Sequence, residues 1–204
     1  MTLFKNKYRA ETTRLKGWDY AQDGYYFITV CIKNRVCLLG DIVDGTMKLN
    51  EYGKIVNDCW FDLPNHYSNI KLDAFCIMPN HIHGIIIINN GIVDTGLKPV
   101  SINVSKPSGI VDTGFKPVST TTPHTTPPPK KRHGLFEFVR ALKTFSARRI
   151  NELRKSVGDE VWQSRFHDRI VRNNIALQKI RNYIENNPKA WLHNKHYNRL
   201  GNDS

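Results

Sequence analysis

Two histidines, His81 and His83, stand one residue apart in Met-Pro-Asn-His-Ile-His-Gly-Ile-Ile-Ile-Ile at 78 to 88, heading the most hydrophobic run in the chain. Side chains at i and i+2 of a β-strand leave the same face, so the two imidazoles would stand side by side, a spacing suited to two ligands on one metal ion. A second pair, Tyr183 and Asn187, is four residues apart in a segment of helical periodicity, which puts them on one face a turn from each other. The Asn carbonyl oxygen is an acceptable ligand for a hard divalent cation, and a phenol beside it can act as a nucleophile. His81, His83 and Asn187 would give three protein ligands and leave positions open for phosphate oxygens. Tyrosine attacks phosphorus poorly at neutral pH because phenols ordinarily titrate at roughly 10. A bound cation offsets much of this by polarising the phosphate for in-line displacement, with a sugar hydroxyl leaving. The product would be a phosphotyrosine bond, a reversible exchange suited to strand transfer. The spacing alone leaves plainer readings open, namely structural histidines on a buried strand and a boundary tyrosine between Ile180 and Ile184.

The elements that must position these groups can be read in order. Tyr25 to Lys33 has the aromatic and β-branched composition of a buried strand, and a second short strand is expected at Val36 to Leu39. Asn50 is a plausible N-cap for a helix whose apolar positions are Ile55, Val56, Cys59, Trp60 and Leu63, and which Pro64 should stop. Ile70 to Met78 and His81 to Ile88 read as a hairpin around Pro79 and Asn80. Ile82, Ile86 and Ile88 fall on one face of the second strand and His81, His83, Ile85 and Ile87 on the other, so that strand should be central. A long helix is expected from Leu135, with a stripe through Phe138, Val139, Leu142, Phe145, Ser146, Ile150 and Leu153. Its other face is strongly basic. Val161 to Val171 should be extended, with Trp162, Phe166 and Ile170 on one side and Gln163, Arg165, His167 and Arg169 on a basic exposed edge. The final helix should span about Asn174 to Asn187, with Leu177, Ile180 and Ile184 buried and Pro188 ending it.

With 204 residues, the chain fits one domain carrying a sizeable insertion. It is too short for the eight-stranded barrels that also use a His-X-His pair. A net charge of +12 and a pI near 9.6 point to a polyanionic partner, and nucleic acid is the usual one. Arg140, Lys143, Arg148, Arg149, Arg165 and Arg169 are the candidates for its backbone. No apolar run long enough to span a membrane is present and the first residues are polar and basic, so a soluble, unexported protein is expected. The four cysteines form no CxxC pair and read as reduced, buried thiols. Residues 1 to 24 form a basic arm and 192 to 204 a basic tail. Between 89 and 133 the pattern breaks: Gly-Ile-Val-Asp-Thr-Gly-Leu-Lys-Pro-Val-Ser at 91 to 101 recurs at 109 to 119 with Phe115 in place of Leu97, and seven of the ten prolines lie here. Such composition predicts a disordered, repeat-expanded insertion.

Three of these stretches, at 78 to 88, Val-Trp-Gln-Ser-Arg-Phe-His-Asp-Arg-Ile-Val at 161 to 171, and Tyr-Ile-Glu-Asn-Asn-Pro at 183 to 188, together resemble the REP-associated tyrosine transposases of the HUH single-tyrosine transposase superfamily. Residues 14 to 29 also resemble that family's start. The resemblance implies an α+β, ferredoxin-like (RRM-like) fold, with an antiparallel sheet, a central HUH strand and helices packed on one face. It matches His81 and His83 to the HUH metal ligands, Tyr183 to the nucleophile and Asn187 to a polar third ligand. It further implies a DNA transposase of the cytoplasm and nucleoid that cleaves and rejoins single-stranded DNA beside palindromic hairpins, using Mg²⁺ or Mn²⁺ and a 5′-phosphotyrosine intermediate. Assembly stays open between a monomer and a homodimer that places the tyrosine helix in trans. An inactive or domesticated member, holding structured single strands without cutting them, is the alternative. The insertion at 89 to 133 departs from the family pattern, where a short loop is expected.

Overall fold

The computed structural model describes residues 14–91 and 132–191, together with the backbone of a small two-stranded ribbon near the start. The elements run β1 (Leu3–Phe4), β2 (Lys7–Tyr8), β3 (Gly24–Cys31), β4 (Gly40–Val43), β5 (Thr46–Leu49), α1 (Glu51–His66), β6 (Ile70–Met78), β7 (His81–Ile88), α2 (Leu135–Leu153), β8 (His167–Val171) and α3 (Asn174–Ala190). The readings of residues 92–131 as disordered and of 192–204 as a tail lie outside the described residues, as do residues 1–2, 5–6 and 9–13 of the basic arm.

The fold is α+β. Its antiparallel sheet has the strand order β6-β7-β3-β8, so β7, the histidine strand, is central. Pro79 and Asn80 make the two-residue turn that sets Met78 opposite His81, and β3 pairs β7 from Cys31 opposite His81 to Gly24 opposite Ile88. Because β7 is apolar on both sides, both faces must be covered. Tyr26, Ile28, Val30, Ile82, Ile86 and Ile88 pack with Val56, Trp60 and Leu63 of α1 and with Phe138 and Leu142 of α2. Tyr25, Phe27, Ile85 and Ile87 pack with Leu177, Ile180 and Ile184 of α3. Helices α1 and α2 thus form the expected layer on one face, whereas α3 covers the opposite face, the one from which the histidines project.

Several local expectations change. Val36 to Leu39 is not a strand; a short 3₁₀ turn at Lys33–Arg35 is followed by the hairpin β4–β5. Its two-residue turn is Asp44-Gly45, both with positive φ, a strong hairpin signal in the sequence. Pro64 and Pro188 lie inside the last turns of α1 and α3 rather than ending them. Proline removes one backbone hydrogen bond, but the buried positions around it, Trp60 and Leu63 in α1 and Ile184 and Asn187 in α3, hold each helix through its final turn. The stripe on α2 is narrower than expected, since Phe145 and Leu153 are exposed. Ser146 stays buried by donating to Leu142 O at 2.6 Å while accepting from Trp162 Nε1 at 2.9 Å, which anchors the approach to β8 on α2.

Candidate active site

His81 and His83 are both buried, at 8% and 4% exposure, and their Nε2 atoms are 3.0 Å apart. The neighbouring polar groups fix how the rings stand. Asn80 Nδ2 donates to Arg35 O at 3.0 Å, which orients the amide so that its Oδ1 faces His81 Nδ1 at 2.7 Å. Only a protonated Nδ1 can donate to that oxygen, so the network assigns the neutral ring the tautomer with a lone pair on Nε2. Thr29 is directly across the β3–β7 ladder from His83, and its Oγ1 lies 2.8 Å from His83 Nδ1. A hydroxyl can donate or accept, so Thr29 supports either tautomer of His83. Burial, with smaller contributions from His81 and His167, pushes the His83 imidazole down to about 3. The ring is therefore neutral at ordinary pH, the form in which imidazole ligates a cation.

Helix α3 brings the second pair onto this face. Tyr183 Oη is 3.3 Å from His83 Nε2, and the phenol ring meets His83 at 5.1 Å and Phe27 at 6.2 Å between centroids. Tyr183 is 50% exposed, so its oxygen is reachable from solvent. Two turns along the same helix face, the Trp191 ring lies 5.9 Å from His81. Asn187 stands between these two contacts. It is buried, and its Oδ1 is a buried acceptor with no hydrogen-bond partner. An orphaned carbonyl oxygen bracketed by contacts to two histidines is a donor set that fits a divalent cation. Among the described residues, no three His, Cys, Asp or Glu side chains come together for a metal, so this set has two imidazoles and one amide and requires substrate or solvent oxygens to complete it.

An ion pair invisible to pattern reading places α3. Arg181 Nε and Nη2 contact Asp73 Oδ1 and Oδ2, and both side chains are buried. Asp73 sits where the β6–β7 register shifts between Leu72 and Phe75. Bulges of this kind redirect side chains.

The site opens into a cleft of about 410 Å³ whose walls include Arg35, Gln163, Arg165 and His167 as well as Thr29, Tyr183 and the histidine pair. Of the six cations expected at nucleic acid, Arg165 lines this cleft and Arg169 lines the next one along β8. The four on α2 belong to the helix layer on the other face of the sheet. Lys143 is engaged, its Nζ donating to Gln163 O at 2.7 Å and Ser164 O at 3.0 Å, and burial lowers its pKa. Arg148 pairs with Glu152 at 2.9 Å and Arg140 approaches Glu137 at 3.7 Å, while Arg149 acts electrostatically on Cys59 and Asp62 of α1. Sequence reading missed Thr29, Arg35, Asn80 and the placement of His167. The cross-strand register assigns Thr29 and His167 to the site, and the Asn80–Arg35 hydrogen bond brings the turn carrying Arg35 to it.

No protein-family model matches the chain. An uncharacterized protein of Haemophilus influenzae is 31% identical over 187 residues, spanning 90% of this chain and 91% of that protein. Among solved structures, the REP-associated tyrosine transposase bound to a REP hairpin aligns with a TM-score of 0.52 at 15% identity, over 89% of this chain and 73% of that one. The second likeness is one of fold.

Proposed function

We propose, from the premise that the chain belongs to one family with the Haemophilus influenzae protein and has the fold of a REP-associated tyrosine transposase, that it is a DNA transposase. It cleaves and rejoins single-stranded DNA beside repeat hairpins through a 5′-phosphotyrosine intermediate. The observation that carries this reading is the approach of Tyr183 Oη to His83 Nε2 at 3.3 Å, between residues 100 positions apart in the chain. A phenol half open to solvent beside two imidazoles is the juxtaposition that phosphoryl transfer to tyrosine requires.

His81, His83 and Asn187 would hold a divalent cation, Mg²⁺ or Mn²⁺, which when bound supplies polarisation of the scissile phosphate. Asn80 and Thr29 orient the two imidazoles, and Arg165 in the cleft wall offers charge to the strand. Tyr183 Oη attacks phosphorus: the Oη–P bond forms as the bond from phosphorus to the 3′ oxygen breaks. The phenol proton passes to solvent, and the 3′ oxygen takes a proton from solvent as it leaves as a hydroxyl. Attack by a different 3′ hydroxyl on the phosphotyrosine reverses the step and joins the strands.

Incubation with an end-labelled hairpin carrying single-stranded flanks, in Mg²⁺ or Mn²⁺, tests this reading. The unsubstituted chain should form a denaturation-resistant protein–DNA adduct, and Tyr183→Phe should form none. An adduct with Tyr183→Phe would overturn the nucleophile assignment. Binding that survives His81→Ala/His83→Ala, with no cleavage by the unsubstituted chain, would identify a binding module instead.

A further inference from the structure

The cleft at Tyr183 is one stretch of a longer trough along the open edge of the sheet. At one end it shares Arg35, Gln163 and Arg165 with a cleft that continues to Lys33 and Asn34. At the other it shares His167 with a cleft of about 840 Å³ that runs past Lys16 and Arg172. That cleft in turn shares Arg169 and Asn173 with one reaching Lys179. The edge strand β8 pairs with β3 and, among the described residues, with no strand on its other side, so the trough follows an open sheet edge.

Its lining is predominantly cationic, although Lys33 at one end pairs with Glu160. Arg165, Arg169 and Arg172 are exposed, and the lone carboxylate lining these four clefts, Asp168, is neutralised by Arg14 Nε at 3.0 Å. The basic face of α2 differs: Arg140, Lys143 and Arg148 are occupied by protein partners, and that helix packs on the sheet face away from Tyr183. A trough with cations along its length and the nucleophile within it suits a flexible polyanion passing through.

Resting on the transposase reading above, we infer that the β8 trough is the path of the single strand. DNA phosphates contact Arg165, Arg169 and Arg172, and the strand is held on both sides of the phosphate that Tyr183 attacks. The basic face of α2 is not the main DNA surface.

The test uses the full chain with Tyr183→Phe, so that no strand is covalently captured, and measures fluorescence anisotropy of a labelled DNA hairpin with two single-stranded flanks across a salt series. Arg165→Ala/Arg169→Ala/Arg172→Ala should weaken binding at least tenfold. Its log–log salt slope should fall by about 2, since each phosphate contact on a single strand contributes roughly 0.7. Trimming either flank should also weaken binding. The three arginines are exposed, and an unchanged melting temperature will verify that the fold is intact. A greater loss in Arg140→Ala/Arg148→Ala than in the trough variant would overturn the inference, as would sensitivity to one flank only. If the unsubstituted chain cleaves DNA but the trough variant binds as well as its Tyr183→Phe parent, the path is wrong and the transposase reading stands. If the parent chain binds no single-stranded DNA, both fail.

Discussion

Asn80 serves the candidate site with one amide: it donates to the Arg35 carbonyl and accepts from His81 Nδ1. Arg35 and its neighbour Asn34 both have positive φ, so the Asn80 bond helps hold a strained turn that carries a cation into the cleft. Removing the acceptor frees the His81 ring to change tautomer, and outer partners of metal-binding histidines are typically worth about 10–100-fold in metal affinity. Asn80→Ala should therefore weaken Mn²⁺ binding, measured by titration calorimetry, by about that factor. Asn80→Asp, which can still accept from Nδ1, should recover most of it. Equal affinities for all three proteins would show that Asn80 is only a turn residue. Gly84, next to His83, has a different role. A Cβ there would come 2.4 Å from the Trp60 ring, which stacks on Phe75 at 4.4 Å between centroids and cannot swing aside freely. Gly84→Ala should destabilise the protein by about 1–3 kcal/mol, the usual range for overpacking, read from the urea midpoint at constant slope.

Among the elements, α3 decides whether a site exists, because it alone carries Tyr183 and Asn187 to the histidine face. Its apolar positions Leu177, Ile180 and Ile184 hold it against the sheet, but a greasy stripe tolerates sliding. The Asp73–Arg181 pair supplies the fixed point two residues from Tyr183. Removing one member leaves a buried charge unpaired, at a cost of about 3–5 kcal/mol, and a displacement of about 1 Å at a reacting group can slow chemistry 10²-fold. Asp73→Ala should show both effects, in chemical denaturation and in the rate of adduct formation. Asp73→Leu/Arg181→Met should regain much of the stability but not the rate, and a full return of the rate would sink the positioning role. This pair also marks where sequence reading stopped. The strand period of two put His81 beside His83, and the helical period put Asn187 one turn from Tyr183; both hold in the structure. Periodicity describes one element at a time, so it could not reveal that α3 lies on the histidine face while basic α2 lies on the other. Asp73 looked like any polar strand residue because a register shift, not an alternation, turns it toward Arg181. The Asp44-Gly45 turn, by contrast, is legible in the sequence, because an Asp-Gly pair favours the two positive φ angles it adopts.

At the scale of the whole molecule, the ends of the long central segment meet at a single side chain. Asn69 Nδ2 donates to Asn90 Oδ1 and to His133 O, each at 3.1 Å. Asn90 is further tied to Asp23 and Ala21, and Leu135 N donates to Tyr20 O at 2.9 Å. The fold therefore closes on itself at residues 90 and 133 through contacts that lie outside 92–131. The reading of 89–133 as an insertion then has a definite consequence: replacing 92–131 with a short Gly-Ser linker should leave the fold and adduct formation intact. For an open loop, each doubling of length costs about 0.6 kcal/mol in closure entropy, so a roughly tenfold shorter connection would add at most about 2 kcal/mol of stability. The melting temperature should hold or rise by a few degrees. A fall in melting temperature would mean that the replaced residues pack on the domain. An unchanged melting temperature with lost DNA binding would instead make the repeats part of the nucleic-acid surface. The three outcomes are separable because the Asn69 bridge is untouched by the replacement.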